Sequence, residues 1–257
     1  MTLQHPSRIH HILHIVPLIV LLWCITLSFR QCAGETQCST KRNSTLNRDT
    51  SPSAEAIARA RALDPVNGGY WYKQAQEALR SQTGTQVSQA KEQAILKNFE
   101  QALALSPVTG TWWRHLGSRY ALMGYRERKA RATWLYKADQ AYALAEHYQP
   151  EDARTLYTCA RYWIWRSTLE SPAGKTYLMS PENPLVPSLP STQAEQLKTS
   201  RTLFRKSLTL QTKTWKESVY YVATLYPDPK IILSIIPPQN TQIKAQVEKW
   251  IKNGFRF

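Results

Sequence analysis

Residues Trp112–Gly124, WWRHLGSRYALMG, bring together several side chains that carry chemistry in proteins. They include two tryptophans, two arginines, a histidine and a tyrosine. Arginine forks suit carboxylates and phosphates, and arginine and aromatic residues are frequent anchors of protein interfaces. The residue types therefore suit a binding site, and their helical spacing suits a buried core equally well.

No catalytic motif accompanies these residues. The sequence contains no phosphate-binding glycine loop, no G-x-S-x-G elbow and no H-E-x-x-H motif. His115 is predicted to lie in solvent, and Glu151 and Asp152 stand where they suit a helix start. The cysteine spacing fits no zinc motif, and Cys159 is expected to be a small buried residue. We therefore expect a protein that is not an enzyme, with no metal and no cofactor.

The composition is that of a folded, strongly basic chain. Among 257 residues, 33 are Lys or Arg and 18 are Asp or Glu, which gives a net charge of +15. Such a surface attracts anionic lipid, acidic polymer or nucleic acid, although a merely solvated basic surface explains it as well. Glycine is scarce and strand-like Val/Ile runs are missing, which favours helices over a sandwich or barrel.

The N-terminal region predicts a membrane segment. After a short segment at 1–11, residues 12–29 are almost entirely apolar and would span roughly 27 Å as a helix, close to the hydrocarbon thickness. They form either an uncleaved signal anchor or a signal peptide cut near Ala33 or Gly34, and the length of the run favours the anchor. The polar composition of residues 30–53 predicts a flexible linker.

The same region suggests a location. A signal anchor at the extreme N-terminus most often places the following domain outside the cytoplasm. Cys32 and Cys38 could pair in an oxidising compartment. We expect a single-pass protein of the bacterial inner membrane, with the bulk of the chain in the periplasm.

The rest of the chain shows a repeated pattern that predicts helical hairpins. Prolines that end helical patterns stand at Pro65, Pro107 and Pro150, which are 42 and 43 residues apart. Each is followed by a helical pattern with one face of fixed spacing. In the second repeat this face is formed by Trp113, Leu116, Gly117 and Tyr120. The third position of the face is always small, so a second helix can approach closely: Ala75, Gly117 and Ala160.

These residues resemble the tetratricopeptide repeat family. Trp113-x-x-Leu116-Gly117-x-x-Tyr120 fits the first-helix motif of that family, and Ala138, Tyr142, Ala145 and Pro150 fit its second-helix pattern. The usual period is about 34 residues, so the longer repeat here implies longer helices or a longer turn around Arg126–Arg131. The resemblance implies an all-α solenoid of about three to four hairpins over residues 54–257.

Beyond the third repeat the pattern is less regular. Residues 171–192 contain five prolines and are expected to form a loop. Helices are predicted at about 192–210 and 213–226, followed by a short apolar piece at 230–236. A final amphipathic helix at 240–252 would cap the end of the solenoid.

The resemblance also implies a concave groove, lined by the first helix of each unit, that takes peptides or partner proteins. The residues expected to face it lie beside the hairpin-packing face and form a basic stripe with tyrosines. They are Tyr72, Gln76, Arg80, Arg114, Ser118, Arg154, Tyr157 and Arg161. A solvated basic face is the alternative interpretation of this stripe.

Three functional hypotheses follow. The first is a membrane-tethered scaffold that binds a protein or peptide, for which an acidic partner would suit the stripe. The second is an accessory protein of envelope polysaccharide assembly or export, which binds an acidic glycan or an integral-membrane partner. The third is nucleic-acid binding, against which the membrane segment and the lack of a base-reading module argue. No small-molecule substrate is expected.

Overall fold

The protein is all-α in the part that the computed structural model describes, which contains no strand. The described residues are 26, 53–81, 88–169 and 189–254. Apart from Thr26, the predicted membrane segment lies outside them, as do nearly all of the predicted linker and most of the proline-rich loop. Among the helices that are described, none is long and apolar enough to cross a bilayer.

Ten α-helices and two short 3-10 turns make up the described part of the chain. The helices are α1 (Ala54–Leu63), α2 (Gly68–Arg80), α3 (Gln89–Leu105), α4 (Gly110–Arg126), α5 (Arg131–Tyr148), α6 (Ala153–Thr168), α7 (Gln193–Leu210), α8 (Trp215–Leu225), α9 (Pro229–Ser234) and α10 (Thr241–Lys252). The 3-10 turns, Arg128–Ala130 and Thr212–Thr214, precede α5 and α8.

The chain divides into two compact units at the boundary between Ser106 and Pro107. In the first unit, α2 packs against both α1 and α3. In the second unit, α4 packs along α5 and α6 packs along α7, so two helical hairpins are formed. The helices α8, α9 and α10 complete this second unit, with α8 packed against α6.

Short proline-containing connectors separate the early helices, as predicted. Each begins with the residue that ends a helix and closes with the N-cap of the next. In the first connector the Asn67 side chain accepts a hydrogen bond from the Gly69 amide at 2.9 Å. In the third, the Asp152 carboxylate accepts one from the Thr155 amide at 2.9 Å, which confirms its expected capping role. These caps satisfy amides that the first helical turn leaves without an intrahelical partner.

The two aligned tryptophans lie over these connectors. The indole nitrogen of Trp71 donates to the Pro65 carbonyl at 3.0 Å, and that of Trp113 donates to the Pro107 carbonyl at 2.6 Å. Trp113 is therefore half-buried, whereas the sequence pattern placed it in the hairpin core. An indole carries one N–H donor, so a position beside a free carbonyl suits it better than a wholly apolar site.

The remaining positions of the predicted faces are buried in the second and third repeats. Leu116, Gly117 and Tyr120 are buried on α4. Leu156, Cys159, Ala160 and Trp163 are buried on α6. In the first repeat the corresponding residues are Trp71, Gln74, Ala75 and Ala78, of which only Ala75 is buried. The extra residues of the long repeat lie in the helices, because α4 has 17 residues and α5 has 18.

Two glycines of α4 allow α5 to approach closely. A Cβ atom on Gly117 would lie 3.0 Å from Cδ2 of Tyr142. A Cβ atom on Gly110 would lie 2.8 Å from the backbone carbonyl oxygen of Ala145. Since Ala145 is itself fully buried on α5, the backbone there has little room to move away.

The C-terminal helices lie close to their predicted bounds. A capping box begins α7, in which Thr192 and Glu195 bond reciprocally to each other's backbone amides. Leu203, Phe204 and Leu208 are buried on one face of this helix. The last helix, α10, lies against α9 and places Trp250 against Trp215 of α8, with ring centroids 4.9 Å apart.

We predict that Gly110→Ala destabilises the second unit. The added methyl gains about 1 kcal/mol of helix propensity but forces a backbone shift in a packed site, for which overpacking typically costs about 1–3 kcal/mol. Urea unfolding followed by helical circular dichroism should show the loss. Gly69→Ala is the control for a contact with a side chain alone: its new methyl meets the Asn67 oxygen that caps α2, at 3.0 Å, so it should lose no more than the about 1 kcal/mol that a cap contributes. Equal stability of the two variants would contradict the steric argument.

Candidate functional site

The first helices of the second unit, α4 and α6, line a cleft together with α8. The cleft has a volume of about 430 Å³. Its walls include Ser118 and Tyr125 of α4, Arg161 and Trp165 of α6, and Tyr221 of α8. We call it the first cleft.

A second cleft, of about 610 Å³, adjoins the first. Arg161 and Tyr221 line both clefts. The other residues of the second cleft come from three helices: Tyr157 of α6, Lys216, Glu217 and Tyr220 of α8, and Trp250 of α10. We call the two clefts together the groove, and Arg161 lies at its centre.

Arg161 is an exposed cation that is held by aromatic rings. Its guanidinium carbon lies 4.3 Å from the ring centroid of Tyr221 and 5.6 Å from that of Tyr157. The Tyr221 hydroxyl donates to the Arg161 carbonyl at 3.4 Å, which ties α8 to α6. A guanidinium has five N–H donors, so Arg161 can contact these rings and still donate to a carboxylate or phosphate.

A buried polar cluster lies behind the wall of the first cleft. The Tyr162 hydroxyl donates to the Asp139 carboxylate, and Nε of Arg166 donates to Oδ1 of Asp139 at 3.3 Å. Burial raises the pKa of Asp139 to about 6, although Arg166 and the Tyr162 hydrogen bond oppose the shift. The Tyr162 ring stacks on Tyr142 with centroids 4.0 Å apart. Both tyrosines line the first cleft, so this cluster positions its wall.

The structure brings three of the predicted site residues to the groove: Ser118, Tyr157 and Arg161. The Ser118 hydroxyl donates to the Arg114 carbonyl at 3.0 Å and lies 2.8 Å from the Tyr142 hydroxyl. Arg154 is exposed on α6 but does not line either cleft. The three groove residues belong to α4 and α6, the first helices of the two hairpins.

Arg114 was expected to face a partner, but only 7% of it is exposed. Its Nη1 donates to the Thr158 hydroxyl of α6 at 3.5 Å, so the neighbouring first helix covers it. His115 was expected to be solvated and is half-buried instead. Burial, aided by the charges of Arg114 and Arg154, lowers the pKa of His115 to about 4, so the imidazole is neutral at pH 7.

The other predicted site residues, Tyr72, Gln76 and Arg80, lie on α2 in the first unit. The Gln76 side chain donates to the Tyr72 hydroxyl at 2.8 Å. The Tyr72 ring lies 5.7 Å from that of Phe99 on α3. Arg80 is exposed and its guanidinium lies 3.8 Å from the Glu77 carboxylate. These residues form a local polar face of their own unit.

Several residues that line the groove were not predicted from the sequence. Trp165 had a readable signal, because Tyr157, Arg161 and Trp165 follow one another at intervals of four residues and so share a helical face. Tyr125 similarly lies seven residues after Ser118 on α4. Tyr221 and Trp250 had no such signal, since they come from helices beyond the recognisable repeats.

The described residues were also searched for a metal site, and the sequence was compared with known proteins. Within the described ranges, no group of three or more His, Cys, Asp or Glu side chains is placed to hold a metal ion. No protein-family model matches the sequence, and no curated protein matches it either.

We predict that Asp139 and Arg166 are strongly coupled. Asp139→Leu should cost about 3–5 kcal/mol of unfolding free energy, because it leaves the Arg166 charge buried without its carboxylate. Arg166→Met should cost a similar amount for the converse reason. The double variant should recover most of the loss, since a buried pair replaced by apolar residues is often neutral. Urea unfolding of the four proteins measures the coupling, and additive losses would show that the pair does not act as a unit.

Proposed function

We propose that this protein is a non-enzymatic scaffold whose groove binds a peptide segment of a partner protein. The observation that carries the proposal is the placement of Ser118, Tyr157 and Arg161 on the walls of two adjoining clefts between α4, α6 and α8. An open groove rich in tyrosine, tryptophan and arginine has the composition of a protein-binding hot spot.

We further propose that the hairpins are tetratricopeptide-type units with lengthened helices. The close approach of Gly117 to Tyr142 supports this, because it places the small residue of the first helix against the large residue of the second. The burial of Ala138 and Ala145 on α5 supports it as well. In such units the first helices line the groove, which agrees with the contribution of α4 and α6 here.

The charges of the groove favour an acidic partner. Arg161 and Lys216 line it, and Glu217 is the only acidic side chain among the lining residues of the described part. Arg154 adds a further exposed cation on α6. An acidic glycan, the second hypothesis from the sequence, would meet the same cations and is therefore one of the outcomes that a capture experiment must distinguish.

We predict that Arg161→Glu abolishes capture of the partner. The full-length protein, with a C-terminal tag, would be purified from cross-linked membranes of its own organism and the captured proteins identified. Reversal of the central cation should reduce capture of groove partners at least tenfold, because an acidic ligand would then face a like charge. Lys198→Glu is the matched control, since Lys198 is exposed on α7 and lines neither cleft. Equal capture by both variants, or capture of glycan without protein, would refute the proposal.

The proposed setting is the periplasmic face of a bacterial inner membrane, with residues 12–29 as the anchor. The support is the sequence alone: an apolar run of bilayer length followed by a polar linker. A scaffold tethered in this way would present its groove to envelope proteins at a fixed distance from the bilayer.

We predict that a periplasmic alkaline phosphatase fused after Phe257 is active, because that enzyme needs an oxidising compartment to form its disulfides. The fusion protein should remain in the membrane fraction after a carbonate wash. A cytoplasmic reporter at the same position should be inactive. The reverse pattern of reporter activities would overturn the orientation, and release of the phosphatase fusion by the wash would overturn the anchor.

A further inference from the structure

The groove offers aromatic faces and hydrogen-bond donors to a ligand. Tyr125 is 67% exposed and Tyr220 is 59% exposed, while Tyr157 and Trp165 are half-buried. Indole and phenol groups present flat apolar faces beside an N–H or O–H donor. Carboxylate acceptors are scarce, since Glu217 supplies the only one among the described lining residues. A ligand that fits this surface should bring acceptors and few donors.

Three ligand backbones can be compared on this basis. An extended strand normally pairs with an exposed sheet edge, and the described part of the chain has no strand. An amphipathic helix satisfies its own backbone groups and presents only side chains. A polyproline II segment has no internal hydrogen bonds, so its carbonyls are free, and its prolines have no N–H that needs an acceptor. This last backbone matches the donors and rings of the groove.

The dimensions of α6 agree with this choice. Tyr157, Arg161 and Trp165 lie on one face and span about 12 Å along the helix, at ~1.5 Å per residue. Four residues of a polyproline II helix span the same distance, at ~3.1 Å per residue. Two rings and the cation between them can therefore be contacted by little more than one turn of such a ligand.

We propose that the groove binds a proline-rich segment of a partner protein in the polyproline II conformation, with an acidic residue of that segment against Arg161. The proposal rests on the proposed function and adds the class of ligand. The rings of Tyr125, Tyr157 and Trp165 would pack against the proline rings, and their O–H and N–H groups would donate to the carbonyls of the segment. The charge of Arg161, supported by Lys216, specifies the acidic residue.

The test is a fluorescence anisotropy titration of the detergent-solubilised full-length protein with a labelled (Pro-Pro-Glu)4 peptide. We expect saturable binding, and at least tenfold weaker binding of (Pro-Pro-Lys)4 and of (Gly-Ser-Glu)4. The first control changes the charge and keeps the prolines, whereas the second keeps the charge and removes them. Equal binding of the (Gly-Ser-Glu)4 peptide would show that the groove recognises acidity alone and would overturn the proposal.

Variants assign the binding to the groove. Arg161→Glu and Tyr125→Ala should each weaken binding of (Pro-Pro-Glu)4 at least tenfold, while Lys198→Glu should leave it unchanged. Tyr125 is so exposed that its truncation removes little packing, so a loss of binding there does not reflect misfolding. Unchanged binding in both groove variants would place the peptide elsewhere on the protein and overturn the proposal.

The chain's own sequence supplies another candidate occupant, because prolines stand at the same three-residue interval at 181, 184, 187 and 190. A variant with alanine at all four positions should bind the peptide with unchanged affinity. At least tenfold tighter binding would show that the chain's own segment competes for the groove, and would overturn the assignment to a partner.

Failure of this inference can be told apart from failure of the proposed function. If Arg161→Glu abolishes partner capture but (Pro-Pro-Glu)4 neither binds the protein nor displaces the captured partner, the groove is the binding site and the polyproline assignment is wrong. If Arg161→Glu leaves capture unchanged, the groove assignment itself fails.

Discussion

The buried carboxylate of Asp139 is the constraint on which the geometry of the second unit depends. It lies on α5 and accepts hydrogen bonds from Tyr162 and Arg166 of α6, so it joins the hairpin of α4 and α5 to the hairpin of α6 and α7. A buried ion pair adds little net stability, but neither member can be moved away from the other without a large desolvation cost. The pair therefore fixes the register of the two hairpins. Because Tyr162 also stacks on Tyr142 in the wall of the first cleft, the shape of the groove follows from it.

The alternation of helices explains how residues far apart in sequence reach one groove. Each short connector reverses the chain, and a small residue such as Gly117 lets the second helix of a hairpin pack closely on the first. Both first helices, α4 and α6, then contribute to the groove together with α8. Tyr221 and Arg161 are 60 residues apart in sequence and still share a hydrogen bond and a ring contact. The groove is thus formed jointly by helices of the two hairpins and by the helices that follow them, and by no single segment.

The sequence predicted those features of the fold that depend on residues close together in the chain. Prolines that stop helices and the spacing of large and small residues are readable within one turn or two. The bounds of the C-terminal helices and most of the buried face in the second and third repeats were therefore predicted, whereas in the first repeat only Ala75 of the face is buried. The burial of Arg114 was not, because it depends on Thr158, a residue 44 positions away. Trp113 was misplaced for another reason: its indole takes the nearby Pro107 carbonyl, which an apolar helical pattern does not reveal. Tyr221 lies beyond the recognisable repeats, where no motif aligned it.

The net charge of the chain says little about any one site, because the cations are used in different ways. Several cations have a local function: Arg166 is buried against Asp139, and Lys137 lies 5.1 Å from the Trp134 ring. Arg161 differs from Arg166 in being exposed, and from Lys137 in lying in the groove, where the rings of Tyr157 and Tyr221 flank its guanidinium. An arginine that is held in this way loses less conformational entropy when it binds than a mobile lysine does, and its planar fork selects a carboxylate in one direction. Recognition would then depend on the position of this one cation among the rings, and the remaining positive charge would mainly speed the approach of an acidic ligand.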